Sequence, residues 1–484
     1  MKSIDKKMYI EKKRIMEVLF FLILIIFTYI FFRVIHPLIV FDTDDWWYIY
    51  FSRKAIPMPG TWNPARVLPE ILMPLVSEIA SYTLYPITND FIGSLATVHA
   101  LVVSLFVIIY IYSFYKLCRD VFCDSVTIAM SCSLLFYMLH FLVFRVNENA
   151  NIFLFNAHNV TCYFYYVIPV MLNASLVMWM LNRKWFNASI NKATPFLKGV
   201  YYLLIYLAVF SNLYSSVIIV TYAVADILID LKKGVRSKIY QIISIALWII
   251  SAVFEMFGGR AKDVYDANKT LFGELKKTLK LLFTIFSKVN TGFLLITIIA
   301  FGVLVYFVVV HRENSLYYKL IIAGFMTLAF EVLLCAVTGF ARINRPDVLI
   351  AFFFFFFVLL CALICTFLEE HTKLLIIAPI VLLVIFFEIN TEGVTFIEAN
   401  TPNINSKIAE QISRDIVKQI TSAEQNGESE ITLYVPKWNS DDNWPHGMYG
   451  ADRFAKALYK HGVLSKKMVV HMVPSEEMYL KYMR

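Results

Sequence analysis

Three carboxylates stand within four residues, Asp42, Asp44 and Asp45, and three aromatic rings follow at once, Trp46, Trp47 and Tyr48. Acids this close repel one another, and beside a membrane they are also partly desolvated. Both effects raise carboxylate pKa values, so the cluster is costly unless a cation or a proton meets it. A carboxylate in such a place can take the proton of a sugar hydroxyl while rings stack on sugar faces, which is general base chemistry. The plainer reading is a solvated acidic loop ahead of an aromatic belt, because Trp and Tyr favour headgroup depth.

A second group is cationic: Arg66, Arg145, Arg260, Lys262, Arg342 and Arg345, several beside the ends of apolar stretches. The guanidinium fork bonds two oxygens of a phosphate at once. Taken together, Arg66, Arg260, Arg342 and Arg345 point to an anionic ligand, with ion pairs to Asp42, Asp44, Asp45, Glu70 or Asp347, or contacts to lipid headgroups, as the plainer alternatives. A third group lies near the end of the chain, where Trp438, Asp442, Asn443 and Trp444 follow an apolar stretch. Loops on a rigid scaffold often carry function. Rings and amides there suit a carbohydrate, or equally the docking of a small domain on the membrane surface. Glu255 and Glu331 lie at or within apolar stretches and need partners there.

Other chemistry finds no footing. No phosphate-binding lysine motif, HExxH, GxSxG or dinucleotide fingerprint occurs. That leaves an ATP-driven pump and a soluble hydrolase without support. His140 and His158 lack metal-ligand spacing, and the seven cysteines form no CxxC pair. They read as buried apolar residues, and no metal site is expected.

The elements that must position these groups are transmembrane helices. The 484 residues are 59% hydrophobic and only 17% charged, well below the charge of soluble domains. Runs such as Phe352–Leu360, apolar throughout, exclude the alternation of a β-barrel and match helices spanning a slab of about 30 Å. Apolar stretches fall at 18–40, 92–115, 122–143, 161–181, 199–212, 214–231, 239–257, 291–310, 318–339, 347–368 and 372–389. With eleven crossings, the lysine-rich loops at 116–119, 183–198, 232–238, 312–319 and 373 all fall inside, as the positive-inside rule requires. The net charge of +8 then reports topology, and no nucleic acid partner is expected. The basic N-terminus reads as cytoplasmic, with residues 18–40 an uncleaved anchor.

This division yields a transmembrane module, residues 1–389, with a first outer loop at 41–90 and a second at 258–290 that holds a basic amphipathic stretch, Leu271–Phe286. A small α/β unit, residues 390–484, follows on the outer side. Helices are expected near 403–424 and 451–461, and strands at 431–435 and 468–473.

A multispanning chain with a DxD-like Asp42–Thr43–Asp44 in its first outer loop resembles the GT-C glycosyltransferases. The tail from Tyr434 to Pro445, the Ala457–Gly462 stretch and Asp44–Asp45–Trp46 resemble, more narrowly, bacterial serotype-specific O-antigen glucosyltransferases of the Gtr type. The resemblance implies an α-helical polytopic GT-C-like fold in the bacterial inner membrane, with the C-terminus periplasmic. It implies transfer of glucose from an undecaprenyl-phosphate-linked donor to lipid-linked O-antigen repeat units, and hence serotype conversion. The implied partners are a small flippase and a carrier-charging glycosyltransferase besides membrane lipids. A first-loop carboxylate would be the base: Asp44 first, then Asp42, with Asp45 the third candidate. Arg66, Arg260, Arg342 and Arg345 would stabilise the leaving phosphate, and Trp46, Trp47, Trp438, Asp442, Asn443 and Trp444 would contact sugar. No cofactor is required; the acidic triplet leaves a divalent metal open, without need of it. Two other readings compete, a lipid-linked oligosaccharide flippase and an O-antigen polymerase.

Overall fold

The structure is a computed structural model that describes residues 2–52, 65–144, 153–157, 159–182, 186, 192–230, 238–257, 270–287, 289, 291–310, 315–376, 404 and 406–483. Among them, six helices are long and apolar enough to cross a membrane: Glu11–Ile35, Val67–Thr88, Phe91–Phe122, Val160–Leu181, Ser315–Thr338 and Pro346–Glu370. Five shorter apolar helices accompany them, Val126–Leu142, Pro195–Val209, Leu213–Ile229, Ile239–Glu255 and Phe293–Tyr306. The chain is thus a helical protein of membrane-spanning character. Large apolar side chains stay uncovered along the helix flanks, Ile23, Phe301 and Phe325 among them, where a soluble protein would not leave so many together.

Helix starts are set locally. Asp42, Asp90, Ser125, Asn159, Thr194, Asn212 and Thr270 each accept a backbone N–H of the first turn that follows, which satisfies a donor the helix itself leaves open. The expected stretches from 18–40 to 347–368 all lie on these helices. Residues 372–376 form only a short 3-10 turn, and the remainder of the expected eleventh stretch lies outside the described residues. The helix Val67–Thr88 lies within residues 41–90, the expected first outer loop, where none of the expected apolar stretches falls. Pro69, Pro74 and Pro86, together with Glu70 and Glu78, interrupt its apolar run, and its hydropathy is the lowest of the six.

Most of these helices have their two ends in different layers, whereas Val67–Thr88 starts beside the Arg66–Glu255 pair and ends beside the Asp90–Arg414 pair, in one layer. One layer joins Tyr214 to Thr338, Arg66 to Glu255, Thr161 to Asp45 and Phe144 to Val289. The opposite layer joins Asn182 to Asp120, Asp124 to Glu369 and Tyr317 to Thr366. It also holds a buried ionic group in which Lys238 and Lys319 each meet Asp226 and Asp230. Each buried ion loses its hydration, and the close opposite charges offset part of that cost.

Beyond residue 404 the chain builds the helix Ser406–Gln425, the strand Glu430–Pro436, the helix Ala451–Lys460, the strand Val469–Ser475 and the helix Glu476–Met483. The two strands pair in parallel, with Glu430 opposite Val469 and Pro436 opposite Ser475. Leu433 and Val435 from the first strand and Phe454, Ala457 and Leu458 from the second helix fill the core of this unit. It is seated on the layer that carries Asp42–Asp45. Ser413 donates to the Val40 carbonyl at 2.8 Å, His461 Nε2 lies 3.2 Å from the Ile49 carbonyl oxygen, and Arg414 pairs with Asp90.

Candidate functional site

The acidic triplet folds into a six-residue helix, Thr43–Tyr48, with Asp42 as its cap. The helical turn parts the three carboxylates. Asp42 Oδ1 accepts the Asp45 N–H at 2.8 Å, and its Oδ2 accepts from Asn159 Nδ2 at 2.6 Å. Asp45 Oδ1 takes the N–H and the hydroxyl of Thr161, both at 2.7 Å, while Oδ2 takes the Phe41 N–H at 3.1 Å. Both groups are fully enclosed. Burial pushes the Asp42 carboxyl well above its usual range, with Asp45 and Asp44 adding repulsion. Burial likewise pushes Asp45 up, to about 6, against the pull of its donors.

Asp44 is different. It stands 44% exposed, with Arg453 Nη1 3.2 Å from its Oδ1. The Arg453 guanidinium also donates to the Thr43 carbonyl at 3.2 Å and lies over the rings of Trp47 and Tyr449, 5.0 and 5.1 Å from their centroids. Of the three carboxylates Asp44 is therefore the one left partly open, whereas Asp42 and Asp45 are enclosed and tie residues 41–45 to the segment that starts at Asn159. Each of these two spends its oxygens on buried N–H and O–H donors.

Thr43 is the point where the two distant parts of the chain lock. Its N–H and its hydroxyl both donate to the Pro445 carbonyl, at 3.0 and 2.8 Å, and its oxygen accepts the Gly447 N–H at 2.8 Å. A methyl on Gly450 would come within 1.9 Å of Thr43 Cγ2, so this contact requires glycine.

The aromatic candidates divide in the same way. Trp46 is completely buried against Phe91 and Phe454. Trp438 is 3% exposed and donates from Nε1 to His446 Nδ1 at 2.9 Å. Asn443 is buried in a left-handed turn, accepting the Trp438 N–H and donating to the Pro436 and His446 carbonyls. These three, expected to contact sugar, have their side chains enclosed in the protein. Asp442 is exposed and Trp47 and Trp444 are half-buried, and Trp47 is stacked on Phe51 with centroids 4.9 Å apart.

The arginines converge on the same layer through the segment that starts at Asn159. Arg345 grips the buried Asp347 with Nε at 3.0 Å and Nη2 at 2.5 Å, reaches Cys162 Sγ at 3.2 Å, and lies 4.2 Å over the Tyr166 ring. Arg66 pairs with Glu255 at 3.3 Å among Tyr48, Tyr165 and Tyr166. For Arg345 the ion pair expected as the plainer alternative, with Asp347, is present, whereas Arg66 pairs with Glu255, which was not among the expected partners. Arg342 sits half-buried on the turn Phe340–Asn344, close enough to the Tyr214 phenol to act on it electrostatically. It has no carboxylate partner among the described residues. Arg260 and Arg145 lie outside the described residues, as do Lys262 and His158. The segment Asn159–Tyr166 thus touches Asp42, Asp45 and Arg345, bringing carboxylates and guanidinium groups of separate elements to one place. No group of three metal-ligating side chains occurs among the described residues.

Residues missed by sequence reasoning are Arg453, Asn159, Thr161 and the tyrosines Tyr165, Tyr166 and Tyr214. Asn159 carried the one available signal, a capping residue ahead of an apolar run. Compared with protein-family models, with curated proteins and with solved structures, the chain has no match.

Proposed function

We propose that the chain is a membrane glycosyltransferase of the GT-C type. It moves a sugar, glucose on the family resemblance, from an undecaprenyl-phosphate-linked donor to O-antigen or another surface polysaccharide. The reaction takes place on the periplasmic face of a bacterial inner membrane that the chain crosses eleven times. The supporting observation is the open Asp44, steadied by Arg453 beside Trp47, on the layer where Arg342 and Arg345 also emerge. In the proposed step an acceptor hydroxyl gives its proton to Asp44 as its oxygen attacks the anomeric carbon. The bond from that carbon to the phosphate oxygen breaks on the opposite face, and the lipid phosphate departs. Base assistance of this kind supplies about 10²–10⁴-fold. Guanidinium groups that meet the developing phosphate charge supply the electrostatic part, with Arg342, lacking a carboxylate partner among the described residues, the first candidate. A lipid-borne donor is held in the membrane plane, which lowers the entropy cost of encounter.

The test is the structure of surface polysaccharide in cells with and without the gene, by mass and linkage analysis. One added hexose per repeat is expected. Altered chain length without added hexose would replace the proposal by the polymerase reading. Loss of lipid-linked intermediates from the outer leaflet, with normal sugar content, would replace it by the flippase reading.

A further inference from the structure

The helix Leu271–Phe286 serves none of the chemistry above, yet its surface is unusual. Its buried side is Glu274, Thr278, Leu282 and Ile285. Opposite them, Phe272 is 79% and Phe283 73% exposed, with Leu279 and Phe286 also uncovered. Positions 272, 279, 283 and 286 repeat along one stripe of a helix. Lys276 and Lys280, both exposed, stand four residues apart on the flank of that stripe. Sixteen residues span about 24 Å, and with Glu274, Lys276, Lys277 and Lys280 among them the helix is too charged to cross the hydrocarbon. A helix that turns phenylalanines and lysines outward on neighbouring strips fits the boundary between acyl chains and headgroups.

The packing fixes its level. The helix lies against the turn Phe340–Asn344, where Lys277 Nζ sits 5.4 Å from the centroid of the Phe340 ring. Lys277 is bonded to Glu274 at 2.7 Å, whereas Lys276 and Lys280 have no ion pair among the described residues. The helix is therefore in the same layer as Arg342, and its two uncommitted ammonium groups face outward there.

We infer that Leu271–Phe286 is an interfacial docking helix. Its phenylalanines enter the outermost acyl layer, and Lys276 and Lys280 bind the phosphate of an anionic membrane lipid. Aromatic and charge complementarity favour this occupant over a protein surface, and the inference stands whether or not the chain transfers sugar. The experiment uses full-length protein in nanodiscs of phosphatidylcholine containing a photoactivatable phosphatidylglycerol or phosphatidylcholine, with adducts mapped by mass spectrometry. Adducts on residues 271–286 are expected, strongly favouring phosphatidylglycerol. An interfacial lysine contributes about fivefold in affinity, so Lys276→Gln with Lys280→Gln should cut the phosphatidylglycerol adducts about 25-fold while leaving those of phosphatidylcholine. Inorganic phosphate should not compete. Equal labelling by the two lipids, an unchanged yield in the double variant, or displacement by free phosphate would each overturn the inference. Absence of adducts on this helix would do so too, and would point to a protein partner.

Discussion

Replacing Asp44 by asparagine keeps the shape of the side chain and removes its charge and basicity. The expected cost to folding follows from its surroundings. Asp44 is 44% exposed and its one ion pair, to Arg453, spans 3.2 Å; pairs of that exposure contribute about 0–1 kcal/mol. Asparagine retains an oxygen that can accept from Arg453, so the melting temperature should move by no more than about 2 °C. The expected cost to catalysis is far larger. Loss of a positioned base removes about 10²–10⁴-fold in rate, equal to about 2.7–5.4 kcal/mol of barrier. The assay is single-turnover transfer from a polyprenyl-phosphate sugar to a lipid-linked acceptor by purified protein in nanodiscs, with thermal unfolding on the same samples. Binding of the donor should be nearly unchanged, since the lost interaction belongs to proton transfer. Transfer at half the parent rate by a normally melting Asp44→Asn protein would falsify the assignment. Should Asp42→Asn then melt normally and lose transfer, the base would be Asp42.

The other expectations concern the surroundings of that residue. Asp45 has a folded-state pKa near 6 against an ordinary 3.8, so the folded state holds its proton more tightly than the unfolded one. Its contribution is therefore fullest below about pH 4 and declines as pH rises towards 6. Because it is coupled to Asp42, the pair titrates together. The melting temperature should accordingly fall between pH 4.5 and 7.5, and fall less in Asp45→Asn; an identical pH slope in the two proteins would refute this. Gly450→Ala sets a methyl 1.9 Å from Thr43 Cγ2, an overpacking that should cost about 1–3 kcal/mol and reduce transfer. Adding Thr43→Ser, which deletes that methyl and keeps the hydroxyl, should restore both, and failure of rescue would place the defect elsewhere. Arg342→Ala should raise the KM for donor about tenfold or more with unchanged melting. Arg345→Ala strands the buried Asp347 and should cost about 3–5 kcal/mol of stability. Melting curves and donor titrations that show the reverse pattern would exchange their roles.

The helices and the tail were legible because their periodicity is local. Apolar runs announced the spanning elements, and the tail's expected helices and strands fall within a few residues of Ser406–Gln425, Glu430–Pro436, Ala451–Lys460 and Val469–Ser475. Leu271–Phe286 was visible for the same reason. Val67–Thr88 was hidden because three prolines and two glutamates dilute its hydropathy, and only packing against the helix Phe91–Phe122 makes it regular. The site was legible only in outline. That Asp42 and Asp45 would turn inward depends on Asn159 and Thr161, more than a hundred residues away. Arg453 was one of several charges on an amphipathic helix, and nothing local says which of them meets Asp44. Trp46, Trp438 and Asn443 have the side chains of a sugar site, but burial is settled by tertiary contact and not by residue type.

That last distinction alters how the family resemblance should be weighed. It rested on Asp44–Asp45–Trp46 at one end of the chain and on Tyr434–Pro445 and Ala457–Gly462 at the other, with little in between. In the structure these segments touch: Thr43 bonds Pro445 and Gly447, Arg453 meets Asp44, Trp46 packs on Phe454, and His461 reaches Ile49. Much of the pattern that carries the resemblance is therefore accounted for by a docking interface, in which Trp438, Asn443, His446 and Gly450 keep the tail seated on residues 41–49. A docking interface could be common to proteins of different chemistry. The residues that docking does not explain are the informative ones: Asp442 is exposed, and Asp44, Trp47 and Trp444 stay partly exposed, after the two segments have met. If the resemblance reflects a shared reaction, substitutions at these four should lower transfer without loosening the tail. Substitutions at Trp438 or Asn443 should loosen the tail first, as limited proteolysis would show, and lower transfer only as a consequence.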